Sequence, residues 1–146
     1  MGNWVGKIRK VLDCVLPGGM PQASQGKATE GARAERLAEQ HLTARGVKIL
    51  ARNVRCKGGE IDLIALYEGC VLFIEVRLRK RSDFGGAASS ITRAKQRRIV
   101  LTAQHWLQGP GRAFRGHPCR FDAITFNALD RDHIEWLPSA FSAEKA

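Results

Sequence analysis

Apolar and polar positions organise this chain around the stretch Gly58 to Arg77, GGEIDLIALYEGCVLFIEVR. Two β-prone runs, Ile61 to Tyr67 and Cys70 to Val76, flank Glu68-Gly69. A two-residue gap holding a glycine between such runs is a hairpin signal. Pairing Tyr67 with Cys70 sets a register in which Asp62 stands opposite Glu75 and Glu60 opposite Arg77. Alternation puts these four side chains on one face. The other face carries Ile61, Leu63 and Ala65 against Val76, Ile74 and Leu72, a plain core surface.

The remaining periodicities surround that hairpin with helices and further strands. Trp4, Val5, Ile8, Val11, Leu12, Val15 and Leu16 recur at helical spacing, ended by Pro17-Gly18-Gly19, and a small, polar linker runs on to Lys27. A second helix is predicted from Thr29, its cap, to Arg45, with Gly46 ending it and Ala34, Leu37, Ala38, His41 and Leu42 as its stripe. Val47 to Arg55 reads as a strand. Ser90 caps a third predicted helix, Ile91 to Gln108, with the stripe Ile99, Val100, Ala103, Trp106 and Leu107. One turn back, that stripe aims Gln96 at the sheet. FDAITF (121–126) and HIEWL (133–137, closed by Pro138) complete the strands. The order α-α-β-β-β-α-β-β predicts an α/β fold, a mixed β-sheet flanked by helices. Residues 1–27 form an N-terminal helix and linker, 28–141 the domain, and 142–146 a tail.

Charge adds a partner to this picture. The 146 residues carry 24 Lys and Arg against 14 Asp and Glu, a net charge of +10. Between Arg77 and Arg98 stand eight bases, Arg77, Arg79, Lys80, Arg81, Arg93, Lys95, Arg97 and Arg98, with Asp83 as the single acid. A basic stripe beside an acidic hairpin is the footprint of a phosphate-backbone binder, although short charge runs also serve only to solvate a surface. The four cysteines, at 14, 56, 70 and 119, include no Cys-x-x-Cys and read as free thiols, which argues against a zinc site. No apolar run has membrane-spanning length. Charged residues interrupt the apolar start, unlike a secretory signal, so the chain reads as soluble and cytoplasmic.

The acidic pair carries the candidate chemistry. Like charges directly across an antiparallel pair repel. A divalent ion with oxygen ligands, such as Mg²⁺, would hold Asp62 and Glu75 together. The other account has Arg77 neutralise Asp62 from the diagonal while Glu60 and Arg77 form a cross-strand salt bridge. Both remain open on the residues alone.

Read together, Glu35 in GARAERLAEQHL, GEIDLI (59–64), FIEVR (73–77), Phe84-Gly85 and Lys95-Gln96 on a helix occur in one order. That combination resembles the YraN family of small bacterial proteins, whose fold is similar to the Holliday-junction resolvases of the PD-(D/E)xK nuclease superfamily. The likeness runs from about Gly31 to Phe141, and it implies a restriction-endonuclease-like sheet. It further implies that Asp62 and Glu75 ligate Mg²⁺ or Mn²⁺, that Glu35 assists as an acid from the helix, and that Gln96 sits beside the site. Two carboxylates fix such a metal, which acidifies water and offsets charge growing on a phosphate.

In the superfamily a lysine follows the second acid by two positions, and here that position holds Arg77. Guanidinium stays protonated, so Arg77 cannot act as a general base, though it can orient water or stabilise phosphate charge. Lys57 or Lys95 is a candidate replacement. The resemblance therefore implies a metal-dependent endonuclease on DNA, branched or structured, with Arg77 on the phosphate and homodimerisation by likeness to the resolvases. The competing expectation is a catalytically lapsed nuclease fold that binds nucleic acid or serves as a scaffold. A third leaves the role to the N-terminal helix, as a dimer or membrane contact.

Overall fold

The computed structural model describes residues 28–79 and 91–146. The N-terminal helix and linker, Lys80, Arg81 and the glycine-rich stretch before Ile91 lie outside the described residues. The elements, in chain order, are α1 (Glu30–Thr43), β1 (Lys48–Cys56), β2 (Gly59–Tyr67), β3 (Cys70–Leu78), α2 (Arg93–Gln108), β4 (Cys119–Phe126) and β5 (Ile134–Phe141). The strands form one five-stranded sheet in the order β1-β2-β3-β4-β5. Only β3 and β4 run parallel, joined through α2, while the other neighbours are antiparallel. This is an α/β fold with a mixed sheet, consistent with a restriction-endonuclease-like architecture. No helix among the described residues is long and apolar enough to cross a membrane.

Each helix covers one side of the sheet because the strands alternate. Ala34, Ala38 and Leu42 of α1 bury Leu63, Ala65, Leu72, Ile74, Ile124 and Phe126. Ile99, Ala103 and Trp106 of α2 bury Ile64, Val71, Phe73, Phe121 and Ala123. β3 is apolar on both faces, as a central strand with two covered faces requires. Thr29 caps α1, its Oγ1 accepting the Ala32 N–H at 3.2 Å, and Gly46 takes the left-handed conformation after the helix (φ 81°).

The hairpin turn has Glu68 and Gly69 at φ 48° and 77°, the left-handed pair that a tight two-residue connection needs. Its register is the expected one from Tyr67↔Cys70 to Leu63↔Ile74, and there it stops. Asp62 and Glu75, and likewise Glu60 and Arg77, are therefore not ladder partners. Beyond Leu63 the strands part, and Asp62 Oδ2 accepts the Val76 N–H at 2.8 Å. Ile61 accordingly packs with the α2 cluster and not with Leu63 and Ala65.

Two further expectations change. Thr92, not Ser90, caps α2: its Oγ1 accepts the Lys95 N–H at 3.3 Å, and Ile91 is buried ahead of the helix. β5 does not close at Pro138 but runs through it to Phe141. It pairs with β4 alone, and an edge strand tolerates proline. The register slips between Phe121 and Ala123, where Ser139, at φ 52°, turns its N–H onto Asp122 Oδ1 at 2.9 Å.

Candidate nuclease-like site

The end of the hairpin where β2 leaves β3 is where the chain collects its acids. Glu75 comes from β3 and is buried, 8 % exposed. Asp62 comes from β2, anchored through Val76. Burial pushes the Glu75 carboxyl up to about 7, the charge of Asp62 adds to that push, and Lys95 opposes it. Burial raises Asp62 as well, against the Val76 N–H and the charge of Lys95. The two carboxyls lie close enough for each to act on the other.

The cation beside them comes from α2. Lys95 Nζ lies 3.4 Å from Glu75 Oε1 and 4.0 Å from Glu60 Oε1. Glu60 also takes Arg55 Nε at 3.3 Å, from the strand on its other side. The expected Glu60–Arg77 bridge gives way to this arrangement because β1, not β3, is the ladder partner of Glu60. Gly59 lets hairpin and helix come this close, since a Cβ there would meet Arg98 O at 2.8 Å.

Two pockets share Lys95 as a wall. One, of about 440 Å³, is lined by Glu75, Val76, Arg77, Leu78, Thr92 and Lys95. The other, of about 360 Å³, is lined by Arg55, Cys56, Gly59, Glu60, Lys95 and Arg98. Arg77 thus shares a pocket with Glu75, two residues along the strand on the same face. Glu35, half-buried on α1, is raised by burial; a hydrogen bond with Asn53 works against this, and the charges of Asp62 and Glu60 reinforce it. Asn53 itself is left-handed, φ 49°. Among the described residues no three His, Cys, Asp or Glu side chains converge as metal ligands, so Glu35 stands near the pair without joining it.

The remaining sequence candidates divide. Gln96 is engaged locally: its Nε2 donates to Ile91 O at 2.9 Å, closing the turn before α2. Arg93, Arg97 and Arg98 are exposed on α2. Arg79 is drawn toward β5, its guanidinium 4.0 Å from Glu135. Lys80 and Arg81 lie outside the described residues. Lys95, grouped on the sequence with the phosphate-binding bases, stands against the acids. One helical turn back from Ile99 by four residues falls on Lys95, and that spacing was the signal. Asn53 and Arg55 had no sequence signal.

Buried Glu75 Oε2 has no hydrogen-bond donor among the described residues, and the carboxyl of Asp62 is its neighbour. An unsatisfied buried carboxylate oxygen next to a second carboxylate suits a hard divalent cation, with water or phosphate oxygens completing its shell. Two carboxylates are donors of the type that Mg²⁺ or Mn²⁺ takes, and Asp62 and Glu75 would be the residues to hold such an ion.

A family model described as uncharacterised protein family UPF0102 matches residues 34–126, the span holding Glu35, Asp62, Glu75 and Lys95. The UPF0102 protein of Methylobacillus flagellatus is 50% identical over 113 residues, 77% of this chain and 96% of that protein. That of Cupriavidus taiwanensis is 49% identical over 121 residues, 82% and 88% of the two chains. That of Dechloromonas aromatica is 45% identical over 123 residues, 84% and 97%. With the model covering most of the chain and such relatives along nearly their whole length, this protein belongs to the uncharacterised protein family UPF0102, the YraN family.

Proposed function

We propose that the chain is a metal-dependent endonuclease acting on DNA, branched or structured, and that Asp62 and Glu75 hold Mg²⁺ or Mn²⁺ for it. The observation that carries this reading is the unsatisfied Glu75 Oε2 beside Asp62, with Lys95 Nζ 3.4 Å from the other oxygen. A buried structural acid would have its oxygens satisfied by fixed donors; this one keeps an oxygen without a described donor while a second acid lies beside it. When bound, the ion supplies an acidified water and a positive charge against the phosphate.

The chain's own residues divide the remaining work. Asp62, tied to the Val76 N–H, fixes the orientation of one carboxylate. Lys95, on α2, brings an amine to 3.4 Å from Glu75, and we assign it the work that the superfamily gives to its strand lysine, since Arg77 cannot act as a base. Arg77 lines the same pocket, where a guanidinium suits a phosphate oxygen. Arg93, Arg97 and Arg98 extend the positive surface along α2. Glu35 adds a third acid at a distance and raises the demand for a cation.

The test is Mg²⁺- or Mn²⁺-dependent nicking of plasmid, single-stranded DNA and four-way junctions. The expected result is loss of cutting in Asp62→Ala and Glu75→Gln, and a loss of about a hundredfold or more in Lys95→Met, in the range of positioned proton transfer. Equal cutting by Asp62→Ala would overturn the reading. DNA binding that is indifferent to chelator and to Asp62→Ala, with no cutting, would favour the lapsed, binding-only alternative.

A further inference from the structure

We infer that the pocket between β1 and α2, lined by Arg55, Glu60, Lys95 and Arg98, is a second phosphate subsite that takes the nucleic-acid backbone on the far side of Lys95 from Arg77. The inference rests on the nuclease reading for the first site and extends it to a segment that reading did not use. Arg55 lies on β1, outside the basic stripe, and nothing in its local sequence marked it.

Three observations converge on the pocket. Its lining holds three cations, Arg55, Lys95 and Arg98, against the single acid Glu60. Glu60 is shared between Arg55 at 3.3 Å and Lys95 at 4.0 Å, so it orients both cations while offsetting one of the pocket's three positive charges. Arg98 makes no ion pair within 4.0 Å with an acid among the described residues, which leaves its guanidinium for an external anion. None of the six lining residues is aromatic, so the pocket offers forked donors for phosphate oxygens and no platform for a base.

The fold builds this juxtaposition. The close approach at Gly59 sets the backbone of Arg98 against the hairpin, and the β1–β2 ladder pairs Arg55 with Glu60. Lys95 walls this pocket and the Glu75–Arg77 pocket alike, so a backbone crossing Lys95 meets guanidinium on both sides. A phosphodiester chain is the ligand that presents successive anions in this way.

The experiment measures binding by the full chain of labelled single-stranded and four-way-junction DNA, in chelator, across a salt series. Arg55→Gln and Arg98→Gln are each expected to weaken binding about three- to tenfold and to lower the log–log salt slope by roughly 0.7 to 0.9, one phosphate contact apiece. Arg45→Gln, on the other side of the domain, is the control for net charge. Arg98→Gln breaks no described ion pair and so keeps the test if Arg55→Gln unfolds. An unchanged slope, a loss no larger than that of Arg45→Gln, or variants that lose inorganic phosphate but not DNA would overturn the subsite. No DNA binding at low salt would overturn it together with the nuclease reading. Metal-dependent cutting with unchanged slopes would sink the subsite alone, and slope loss without cutting would leave the subsite standing while the catalytic reading fails.

Discussion

Two acids are buried in the same sheet, one strand apart, and the protein treats them in opposite ways. Asp122 on β4 is fully buried and fully engaged. Arg120 grips it bidentately at 2.8 and 2.9 Å, Trp136 Nε1 donates at 2.9 Å, and the Ser139 N–H donates at 2.9 Å. Glu75 on β3 has Lys95 at 3.4 Å on one oxygen and no described donor on the other, with Asp62 pressed alongside. Burial of a carboxylate therefore says nothing about function by itself. What separates a structural acid from a candidate ligand is whether the fold completes its hydrogen bonds or leaves them open.

The largest effect should come from the satisfied acid. Asp122→Ala strands Arg120 and removes the acceptor that bends β5 at Ser139, and breaking such a buried pair costs about 3–5 kcal/mol. Urea denaturation should show that loss. Glu75→Gln should cost little, and above neutral pH it should stabilise, because it removes a like charge beside Asp62. Equal destabilisation by the two substitutions would break the contrast.

The next effect is the pH dependence of the unsatisfied acid. Glu75 sits at about 7 in the folded chain against an ordinary value of 4.5, so between those limits the folded state holds the proton more tightly than the unfolded state. Stability from this group is therefore present at low pH and falls as pH rises to about 7, by on the order of 3 kcal/mol at 1.36 kcal/mol per unit. Thermal melts in chelator should follow that fall, and Glu75→Gln should flatten it. Mn²⁺ should restore stability above the transition and do little at about pH 5, where the site carries a proton. A metal-independent melt at every pH would remove the argument that the open oxygen awaits a cation.

A smaller effect separates the two acids through packing. Gly59→Ala drives a methyl to 2.8 Å from Arg98 O and 3.0 Å from Thr102 Oγ1, and the backbone atom cannot rotate away. Overpacking of this kind costs about 1–3 kcal/mol. The helix that carries Lys95 must shift, whereas Asp122, between the α2-covered Phe121 and Ala123, points to the other face of the sheet. Loss of DNA cutting with an unmoved Trp136 indole N–H signal in NMR is the expected result. Movement of that signal would mean that the two acids are not independent.

Much of this was legible in residues whose partners are close in sequence. The hairpin register follows from a two-residue turn at Glu68-Gly69, and the helix stripes at Ala34, Ala38 and Leu42 and at Ile99, Ala103 and Trp106 follow from period alone. The convergence of Asp62 and Glu75 was legible too, but not its cause. The strands part at Leu63, and it is a side chain bonding a backbone N–H that brings Asp62 in, a contact no alternation rule contains. The engaged state of Asp122 was invisible because its donors come from Arg120 two residues away and from the bulge at Ser139, which exists only once β5 runs through Pro138. Three positions back from Ile99 lies Gln96, which bonds Ile91 O, and four positions back lies Lys95, which stands against Glu75; the period alone does not choose between them.

The smallest test concerns how each acid's cation is held. Arg120 is placed by its own strand, two residues from Asp122, and needs no further support. Lys95 depends on the first turn of α2, where Thr92 Oγ1 accepts its backbone N–H at 3.3 Å. Thr92→Ala should cost about 1 kcal/mol, the usual value of a helix N-cap, and fray the turn that presents the ammonium to Glu75. Cutting should fall further than stability, because the lost turn carries the group nearest the open carboxylate. Thr92→Ser, which keeps the acceptor, should restore both. If Thr92→Ala lowers stability and leaves cutting unchanged, Lys95 is only a surface partner of Glu75, and the difference between the two acids no longer bears on catalysis.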